Sequence, residues 1–262
     1  MANKFNEVKP GDGVYEWADF SYNIGTGCSN GCRYCYACGI AMEMARKDSK
    51  VFRRSDWPRD NVKLWKANIH QSEDGILMFP SMHDITPAYL PTYIRALRNI
   101  LNAGTRVVVV TKPRLECIRT ICDQFQDHKD NMLFRMTITG LDEDLARFWE
   151  PGAPLPDERL TALRLAFDSG YQTSVSVEPM IDSVDRTVEL YHTVLPYLTE
   201  DIYFGKMNEI DRRVEMADQG SRDAVRLIRE QQSDVNISRF YQQLRGADKV
   251  EWKDSIRKIV GL

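Results

Sequence analysis

Short apolar segments alternate with amphipathic segments along most of the chain. The apolar segments occupy residues 20–24, 75–80, 106–111, 133–139, 173–177 and 202–205. Brief apolar runs bounded by turn-forming residues are typical of buried strands. Segment 106–111, RVVVVT, is the clearest, because four consecutive valines suit a parallel strand that is covered on both faces. The pattern therefore predicts six strands.

The amphipathic segments predict the helices that connect these strands. They occupy residues 36–46, 89–102, 113–124, 156–168 and 184–195, and a further helical pattern runs from about residue 221 to the end. Strands that alternate with helices at this spacing indicate parallel strands joined by right-handed crossovers. Six strand–helix units are too few for a complete eight-unit barrel. We therefore predict an α/β fold, either a partial (β/α)6 barrel of the TIM type or an open doubly wound sheet.

The same pattern divides the chain into three parts. We predict a lead-in over residues 1–19, a core barrel over residues 20–210 and a helical C-terminal extension over residues 211–262. In both candidate folds the functional site lies at the carboxyl ends of the strands. Side chains that directly follow the predicted strands are therefore the first candidates for a site.

The composition fits a cytoplasmic protein with one core. Hydrophobic residues make up 43% of the 262 residues, which is enough for a single sizeable core. No apolar run has the length of a membrane span, and the N-terminal segment lacks the apolar stretch of a secretory signal. We therefore expect a cytoplasmic protein with no membrane partner, in the host cytoplasm if the chain is viral. Six cysteines in that compartment indicate metal or redox chemistry rather than disulfides.

The charge distribution changes this picture only locally. The net charge of −3 argues against a strong, sequence-independent attraction to nucleic acid. Residues 43–66, however, hold eight Lys and Arg against four acids, with Trp57 and Trp65 among them. Basic and aromatic residues together suit a phosphate backbone beside an unstacked base. The alternative is a solvated surface segment whose two tryptophans are anchored in the core.

Three cysteines lie in the loop that follows the first predicted strand: Cys28, Cys32 and Cys35. The glycines around them allow a tight loop, because glycine accepts positive φ without steric cost. Thiolates are the usual ligands of iron–sulfur clusters. Three local ligands hold three irons of a [4Fe–4S] cubane and leave the fourth iron open to a cofactor or substrate. The loop therefore predicts a catalytic cluster.

A zinc site with Cys38 as its fourth ligand is the alternative for this loop. Zinc ribbons usually combine two separated cysteine pairs, and this chain has no second pair with that spacing. Cys117 and Cys122 fall within one predicted helix, where we expect them to be buried thiols of the core.

The cysteine loop and four later segments resemble a known superfamily. The spacing C-x3-C-x2-C, with an aromatic residue before the last cysteine, resembles the signature of radical S-adenosylmethionine (SAM) enzymes. The order GTGCSNGCRYCYA, VVVVTKPR, FRMTITGLDE, WEPGAPLPDERLTALRLAFDSGY and SVSVEPMID is similar to the spore photoproduct lyase and "DNA repair photolyase" branch, over residues 20–182. The resemblance implies a barrel of the radical SAM kind, a [4Fe–4S] cluster, SAM bound to the open iron, and a reducing partner such as flavodoxin or ferredoxin.

The resemblance also implies roles for residues at the strand ends. Lys112 would hold the SAM carboxylate. Thr137 and Thr139 would bond polar groups of SAM, although both are also ordinary strand formers. Glu178 would hold the ribose hydroxyls, or else form a structural ion pair with Arg135.

Four further residues complete the predicted site. Tyr34 would pack near the cluster and the adenine. Ser81, His83 and Asp84 follow the second strand at the same edge and are candidates for contact with SAM or substrate. A lone histidine is more often structural, which is the alternative for His83.

The chain departs from the lyase pattern after the second strand. Spore photoproduct lyase returns a hydrogen to its product radical from a thiol at that place, and this chain has Pro80-Ser81-Met82-His83 there. An isomerase needs no such donor, because 5′-deoxyadenosine returns its own hydrogen. We therefore expect rearrangement of a modified thymine-type base in DNA or a modified nucleoside, as in viral DNA hypermodification. The alternatives are lyase-like DNA repair, a radical SAM enzyme on a peptide or small metabolite, and a non-catalytic, metal-stabilised module.

Overall fold

One mostly parallel sheet organises the protein. The computed structural model describes residues 4–9 and 14–262, and all element bounds below refer to these residues. The strands are β1 Asn6–Glu7, β2 Phe20–Ser21, β3 Gly25–Thr26, β4 Asn61–Val62, β5 Ile76–Phe79, β6 Arg106–Thr111, β7 Met132–Thr137, β8 Gln172–Val177, β9 Ile202–Phe204 and β10 Val250–Trp252. The helices are α1 Tyr36–Lys47, α2 Leu90–Asn102, α3 Leu115–Gln124, α4 Glu143–Trp149, α5 Pro156–Asp168, α6 Val184–Val194, α7 Ile210–Arg213, α8 Gln219–Gln231, α9 Asp234–Leu244 and α10 Asp254–Val260.

The strand order distinguishes between the two predicted α/β folds. Within the described residues the main sheet has the order β1-β2-β5-β6-β7-β8-β9-β10, and only β1 is antiparallel to its neighbour. A doubly wound sheet reverses its strand order at a switch point, whereas a barrel adds each strand beside the last. The sequential order is therefore that of a partial barrel. All six predicted strands belong to it.

The valine strand shows why the sheet is buried on both sides. Val107 and Val109 of β6 face the helices and belong to the largest hydrophobic core. Val108 faces the other way and packs with Met78 and Ala18. Because side chains alternate along a strand, an unbroken apolar run needs cover on both faces. The predicted two-sided burial of this strand is confirmed.

Three details differ from the sequence prediction. The first strand is shorter, because the chain leaves the sheet after Ser21 and Gly25–Thr26 pairs with Asn61–Val62 instead. Helix α3 begins at Leu115 and not at residue 113. The C-terminal extension, predicted to be helical, also contributes β10, which pairs in parallel with β9.

The N-terminal lead-in predicted over residues 1–19 lies partly outside the described residues. Its described part is tied to the sheet, since β1 pairs with β2. No helix in the described chain is both long and apolar enough to cross a bilayer.

Candidate functional site

The cysteine loop follows β3 and is held on one side by residues 57–60. The backbone N–H of Cys28 donates to the carbonyl of Trp57 at 3.1 Å. The N–H of Ser29 donates to a carboxylate oxygen of Asp60 at 2.8 Å. Gly27 has φ +80°, and a Cβ at this position would lie 2.1 Å from the carbonyl oxygen of Arg59. This glycine is therefore required by both the turn and the close approach.

Residues 149–154 hold the other side of the same loop. The N–H of Gly152 donates to the carbonyl of Asn30, and the N–H of Arg33 donates to the carbonyl of Trp149, both at 2.9 Å. A Cβ on Gly152 would lie 2.1 Å from the carbonyl oxygen of Ser29. The proline-rich segment between α4 and α5 is thus in backbone contact with the cysteine loop.

The thiols of the loop are shielded from water to different degrees. Cys28 is buried, and Cys32 and Cys35 are partly buried. Burial raises the pKa of the Cys32 thiol to about 12, although the Lys112 charge opposes this shift. Burial also raises the pKa of Cys28. Metal binding has to displace these thiol protons, since only the thiolate is a ligand.

The donor set of the loop fits an iron–sulfur cluster. No three His, Cys, Asp or Glu side chains within residues 4–9 and 14–262 converge on a single ion. A cubane takes its thiolates on different irons and does not need such convergence. The loop supplies three thiols. Two flanking segments fix its backbone, and a lysine lies nearby. In the alternative of a zinc site, Cys38 was the fourth ligand. Cys38 lies on α1 and is fully buried, packed beside Cys28 of the loop.

Lys112 lies where β6 ends, as predicted, and several groups fix its position. Its backbone N–H donates to Asp84 at 3.0 Å. Its Nζ atom is 3.6 Å from Glu150 Oε1 and 5.7 Å from the centre of the Tyr34 ring. Burial opposes the charge of Lys112, but the neighbouring Cys32 and Glu150 outweigh burial and raise its pKa. The lysine is therefore charged and faces the cysteine loop.

Glu150 is the centre of this arrangement, and the sequence alone did not assign it a role. Its side chain is fully buried and forms an ion pair with Arg159. It also accepts hydrogen bonds from the hydroxyls of Tyr34 and, at 3.1 Å, Thr139. Burial alone would raise the pKa of Glu150, but Arg159 and Lys112 outweigh it and lower the pKa. In the sequence, Glu150 and Arg159 both lie in the segment WEPGAPLPDERLTALRLAFDSGY, which resembles the lyase branch.

Asp84 is saturated by bonds within the protein. Its carboxylate accepts from Asn30 Nδ2 at 2.6 Å, from the Thr111 hydroxyl, and from the backbone N–H groups of Lys112 and Ile85 at 3.0 and 2.8 Å. It therefore joins the cysteine loop to the end of β6. These contacts favour a positioning role for Asp84.

Both ring nitrogens of His83 have partners within the protein, which favours the structural alternative for this lone histidine. Its Nε2 atom accepts the backbone N–H groups of Ile24 and Gly25, both at 3.1 Å. Nδ1 must then carry the proton and donate to the Tyr93 hydroxyl at 2.9 Å. Burial lowers the pKa of His83 to about 4. The neutral imidazole thus fixes the entrance to the cysteine loop.

Ser81 is also bonded within the protein. Its N–H donates to Asn23 Oδ1 at 2.9 Å, and its hydroxyl accepts from Asn23 Nδ2 at 2.7 Å. Its carbonyl accepts from the hydroxyl of Tyr36, the residue that follows the third cysteine. Ser81 therefore connects the ends of β2 and β5 with the start of α1.

Glu178 lies at the same edge but does not pair with Arg135. Its carboxylate is 4.0 Å from the Nζ atom of Lys253, which follows β10. Arg135 instead donates to the Ser174 hydroxyl at 3.0 Å and stacks over Trp17. In the alternative account of Glu178 as half of a structural ion pair, Arg135 is the wrong partner, because Lys253, which follows the unpredicted strand β10, supplies the cation.

Thr137, a predicted contact of SAM, lies at the same edge of the sheet. Thr137 is buried at the end of β7, and its carbonyl accepts from Arg159 at 3.3 Å.

The two tryptophans of the basic segment, residues 43–66, differ in burial. Trp57 is 3% exposed, as the core-anchored alternative expected, whereas Trp65 is 56% exposed. The basic segment is therefore neither wholly surface nor wholly core.

The two cysteines of α3 are buried thiols of the main core, as predicted. Cys117 and Cys122 are each 1% exposed and pack within that core. The thiols near the strand ends are thus those of the cysteine loop and Cys38, within the described residues.

The chain is similar in sequence to a viral protein. The uncharacterized protein ORF301 of Acidianus two-tailed virus is 25% identical over 232 residues, which cover 78% of this chain and 72% of the viral protein. No protein-family model matches the chain.

In structure the chain is similar to spore photoproduct lyase. A structure of that enzyme complexed with dinucleoside spore photoproduct has a TM-score of 0.56 and 18% identity, covering 96% of this chain and 80% of the lyase chain. Streptococcus suis SuiB bound to S-adenosylmethionine has a TM-score of 0.54 and 9% identity, covering 91% of this chain and 51% of SuiB. The chain thus shares the fold of spore photoproduct lyase and of SuiB, and the predicted α/β fold class is confirmed.

Proposed function

We propose that this protein is a radical SAM enzyme whose Cys28, Cys32 and Cys35 bind a [4Fe–4S] cluster. The observation that carries the proposal is the position of the three-thiol loop, at the carboxyl edge of a radical SAM barrel and beside a charged, partly buried lysine. When bound, the cluster supplies an electron that cleaves SAM, and the resulting 5′-deoxyadenosyl radical abstracts a hydrogen from substrate. An electron donor of the flavodoxin or ferredoxin kind completes the proposal.

The residues at the strand ends would bind and orient SAM. Lys112 would hold the carboxylate of SAM, because its ammonium is charged, faces the loop and lies 3.6 Å from its ion partner Glu150, a contact longer than a hydrogen bond. Tyr34 is fixed by its bond to Glu150, and its ring would pack beside the adenine. Thr137, Thr139 and the partly exposed Glu178 would bind polar groups of SAM at the same edge. Ser81 and Asp84 would contribute by holding this edge in shape.

The test is anaerobic reconstitution with iron and sulfide, followed by dithionite and SAM. We expect wild-type protein to bind iron and sulfide and to form 5′-deoxyadenosine, measured by chromatography. Cys32→Ala is expected to abolish product. Cys122→Ala is the matched control, since it removes a buried thiol of α3 far along the chain from the loop and should leave product formation intact. A wild-type protein that binds zinc and forms no 5′-deoxyadenosine would contradict the proposal.

For the substrate, we propose a modified thymine-type base in DNA, and for the reaction a rearrangement. Two observations support this. The fold is similar to that of a lyase complexed with a dinucleoside photoproduct. The segment after β5 places Ser81, Met82 and His83 where the lyase resemblance implies a donor thiol. In a rearrangement the hydrogen taken from substrate returns to the product, so that no protein thiol is needed.

Two DNA substrates separate rearrangement from repair. DNA that contains 5-hydroxymethyluracil, deuterated at the methylene carbon, is expected to transfer deuterium into recovered SAM, as detected by mass spectrometry. Dinucleoside spore photoproduct is expected to remain unchanged. Efficient conversion of the photoproduct into two thymines would instead establish repair. Deuterium transfer from a peptide alone would favour the peptide class, to which SuiB with its precursor peptide SuiA belongs.

A further inference from the structure

Two side chains beside the cysteine loop carry buried N–H groups that lack an acceptor. They belong to residues 54–57, inside the basic and aromatic segment of the sequence. The Nε and Nη1 atoms of Arg54 and the Nε1 atom of Trp57 are buried, and none of the three has a hydrogen-bond partner in the described part of the chain. A buried donor without an acceptor is destabilising and therefore rare. Several unpaired donors in one place indicate an acceptor that the polypeptide itself does not supply.

The indole of Trp57 is packed directly on the cysteine loop. It forms a small hydrophobic cluster with Cys28 and Cys38, and Cys35 packs against the edge of that cluster. The carbonyl of Trp57 accepts the backbone N–H of Cys28 at 3.1 Å. The indole N–H is thus held beside sulfur-bearing residues by both packing and a backbone bond.

The guanidinium of Arg54 approaches the loop at the same place. Arg54, Trp57 and Cys32 line one cleft of about 240 Å³. The ion-pair partner of Arg54 is Glu215, but the Nε–Oε1 distance of 3.8 Å is longer than a hydrogen bond, and the Glu215 side chain is 63% exposed. The buried N–H groups of Arg54 therefore lie beside Cys32 without an acceptor in the described residues.

We propose that Arg54 and Trp57 donate N–H bonds to the sulfur atoms of the [4Fe–4S] cluster held by Cys28, Cys32 and Cys35, and that the charge of Arg54 raises the reduction potential of the cluster. This inference rests on the proposed function. Hydrogen bonds to the sulfurs, net charge and solvent exposure set the potential of such clusters. Reduction adds one negative charge, so a cation beside the cluster stabilises the reduced form more than the oxidised form.

The experiment compares reduction potentials of reconstituted proteins. Wild type, Arg54→Gln, Trp57→Phe and Arg46→Gln are loaded anaerobically, and iron and sulfide are quantified. Arg46 is the matched control, since it is an exposed arginine of α1. Each protein is then titrated with dithionite and redox mediators and followed by electron paramagnetic resonance.

We expect Arg54→Gln to lower the equilibrium constant for reduction at least tenfold, which is 59 mV toward more negative potential for one electron. Trp57→Phe keeps an aromatic ring at this position but loses the N–H together with part of the indole packing, and it should shift the potential less but in the same direction. Arg46→Gln should match wild type. Loss of iron from folded Arg54→Gln, with Arg46→Gln fully loaded, also supports the inference, because the donors then help to hold the cluster.

Two results overturn the inference and differ in what else they affect. Normal loading with wild-type potentials in both Arg54→Gln and Trp57→Phe overturns the inference alone. A wild-type protein that binds no iron and sulfide overturns the proposed function as well. If circular dichroism shows that Arg54→Gln does not fold, the potential of Trp57→Phe decides.

Discussion

The ammonium of Lys112 lies 3.6 Å from Glu150 Oε1, while the other oxygen of Glu150 is bound by Arg159. Arg159 thus fixes the carboxylate, and the carboxylate orients the lysine at the end of β6. The lysine contact is longer than a hydrogen bond, so its N–H donors remain available to a ligand. A single buried carboxylate therefore connects the strand ends to the cysteine loop, because Tyr34 binds it as well.

Glu150→Gln is expected to destabilise the protein strongly. The change leaves the Arg159 guanidinium, whose side chain is 1% exposed, without its ion partner. Removing one member of a buried pair typically costs about 3–5 kcal/mol. Urea unfolding of the metal-free protein measures this loss. Glu143→Gln is the control, since its partner Arg147 is 59% exposed and such pairs contribute no more than about 1 kcal/mol. Equal losses in both variants would contradict the central role of Glu150.

Gly152→Ala is expected to displace the cysteine loop. The added methyl group would lie 2.1 Å from the carbonyl oxygen of Ser29, which is backbone and cannot swing away. We expect a lower midpoint of thermal unfolding and less iron bound after reconstitution. In Gly39→Ala, by contrast, the added methyl group meets no atom of the described residues within 4 Å. As Gly39 lies within α1, that substitution should stabilise the protein by about 0.5–1 kcal/mol. Wild-type iron binding by Gly152→Ala would show that the loop tolerates the shift.

Lys112→Met is expected to weaken SAM binding. Hydrogen bonds that involve charged groups typically contribute about 1.5–3 kcal/mol, which corresponds to roughly 10- to 150-fold in affinity. Isothermal titration of cluster-loaded protein with SAM measures the change. Lys47→Met serves for comparison, because the Lys47 side chain is 72% exposed on α1. An unchanged dissociation constant in Lys112→Met would remove the lysine from the SAM site.

The partly buried His83 gives the protein a defined pH dependence. The pKa of His83 falls from an ordinary value of 6.5 to about 4 in the folded protein, because of burial. Between these values the unfolded chain binds a proton that the folded chain does not. Stability is therefore complete above pH 6.5 and falls by up to ~3 kcal/mol as the pH drops to 4.

Urea unfolding of the metal-free protein across that range checks the prediction. His83→Gln, which retains a side-chain acceptor, should flatten this part of the pH profile. His192→Gln, at an exposed position of α6, should leave the slope as in wild type. A slope that is the same in all three proteins would assign the pH dependence to other groups.

The sequence by itself determined the six principal strands of the sheet and the cysteine loop. These features depend on residues that are neighbours along the chain. Four consecutive valines specify a doubly covered strand wherever they occur, and three cysteines within eight residues are close in any fold. The carboxyl edge was also predictable, because parallel strands with right-handed crossovers leave no other arrangement. Lys112 could therefore be placed at that edge from its position after the valine strand.

Only the tertiary structure decided how these parts are held together. Tyr34 and Glu150 are 116 residues apart in sequence and form a direct hydrogen bond. The ion-pair partner of Glu178 is Lys253, which follows β10. This strand has three residues, too few to show the alternation of apolar and polar positions typical of a strand. Trp57 is buried while Trp65 is exposed, although both lie in one basic segment. Local pattern specifies what each segment forms, but burial and pairing depend on which distant segments meet, and that is set by packing of the whole chain.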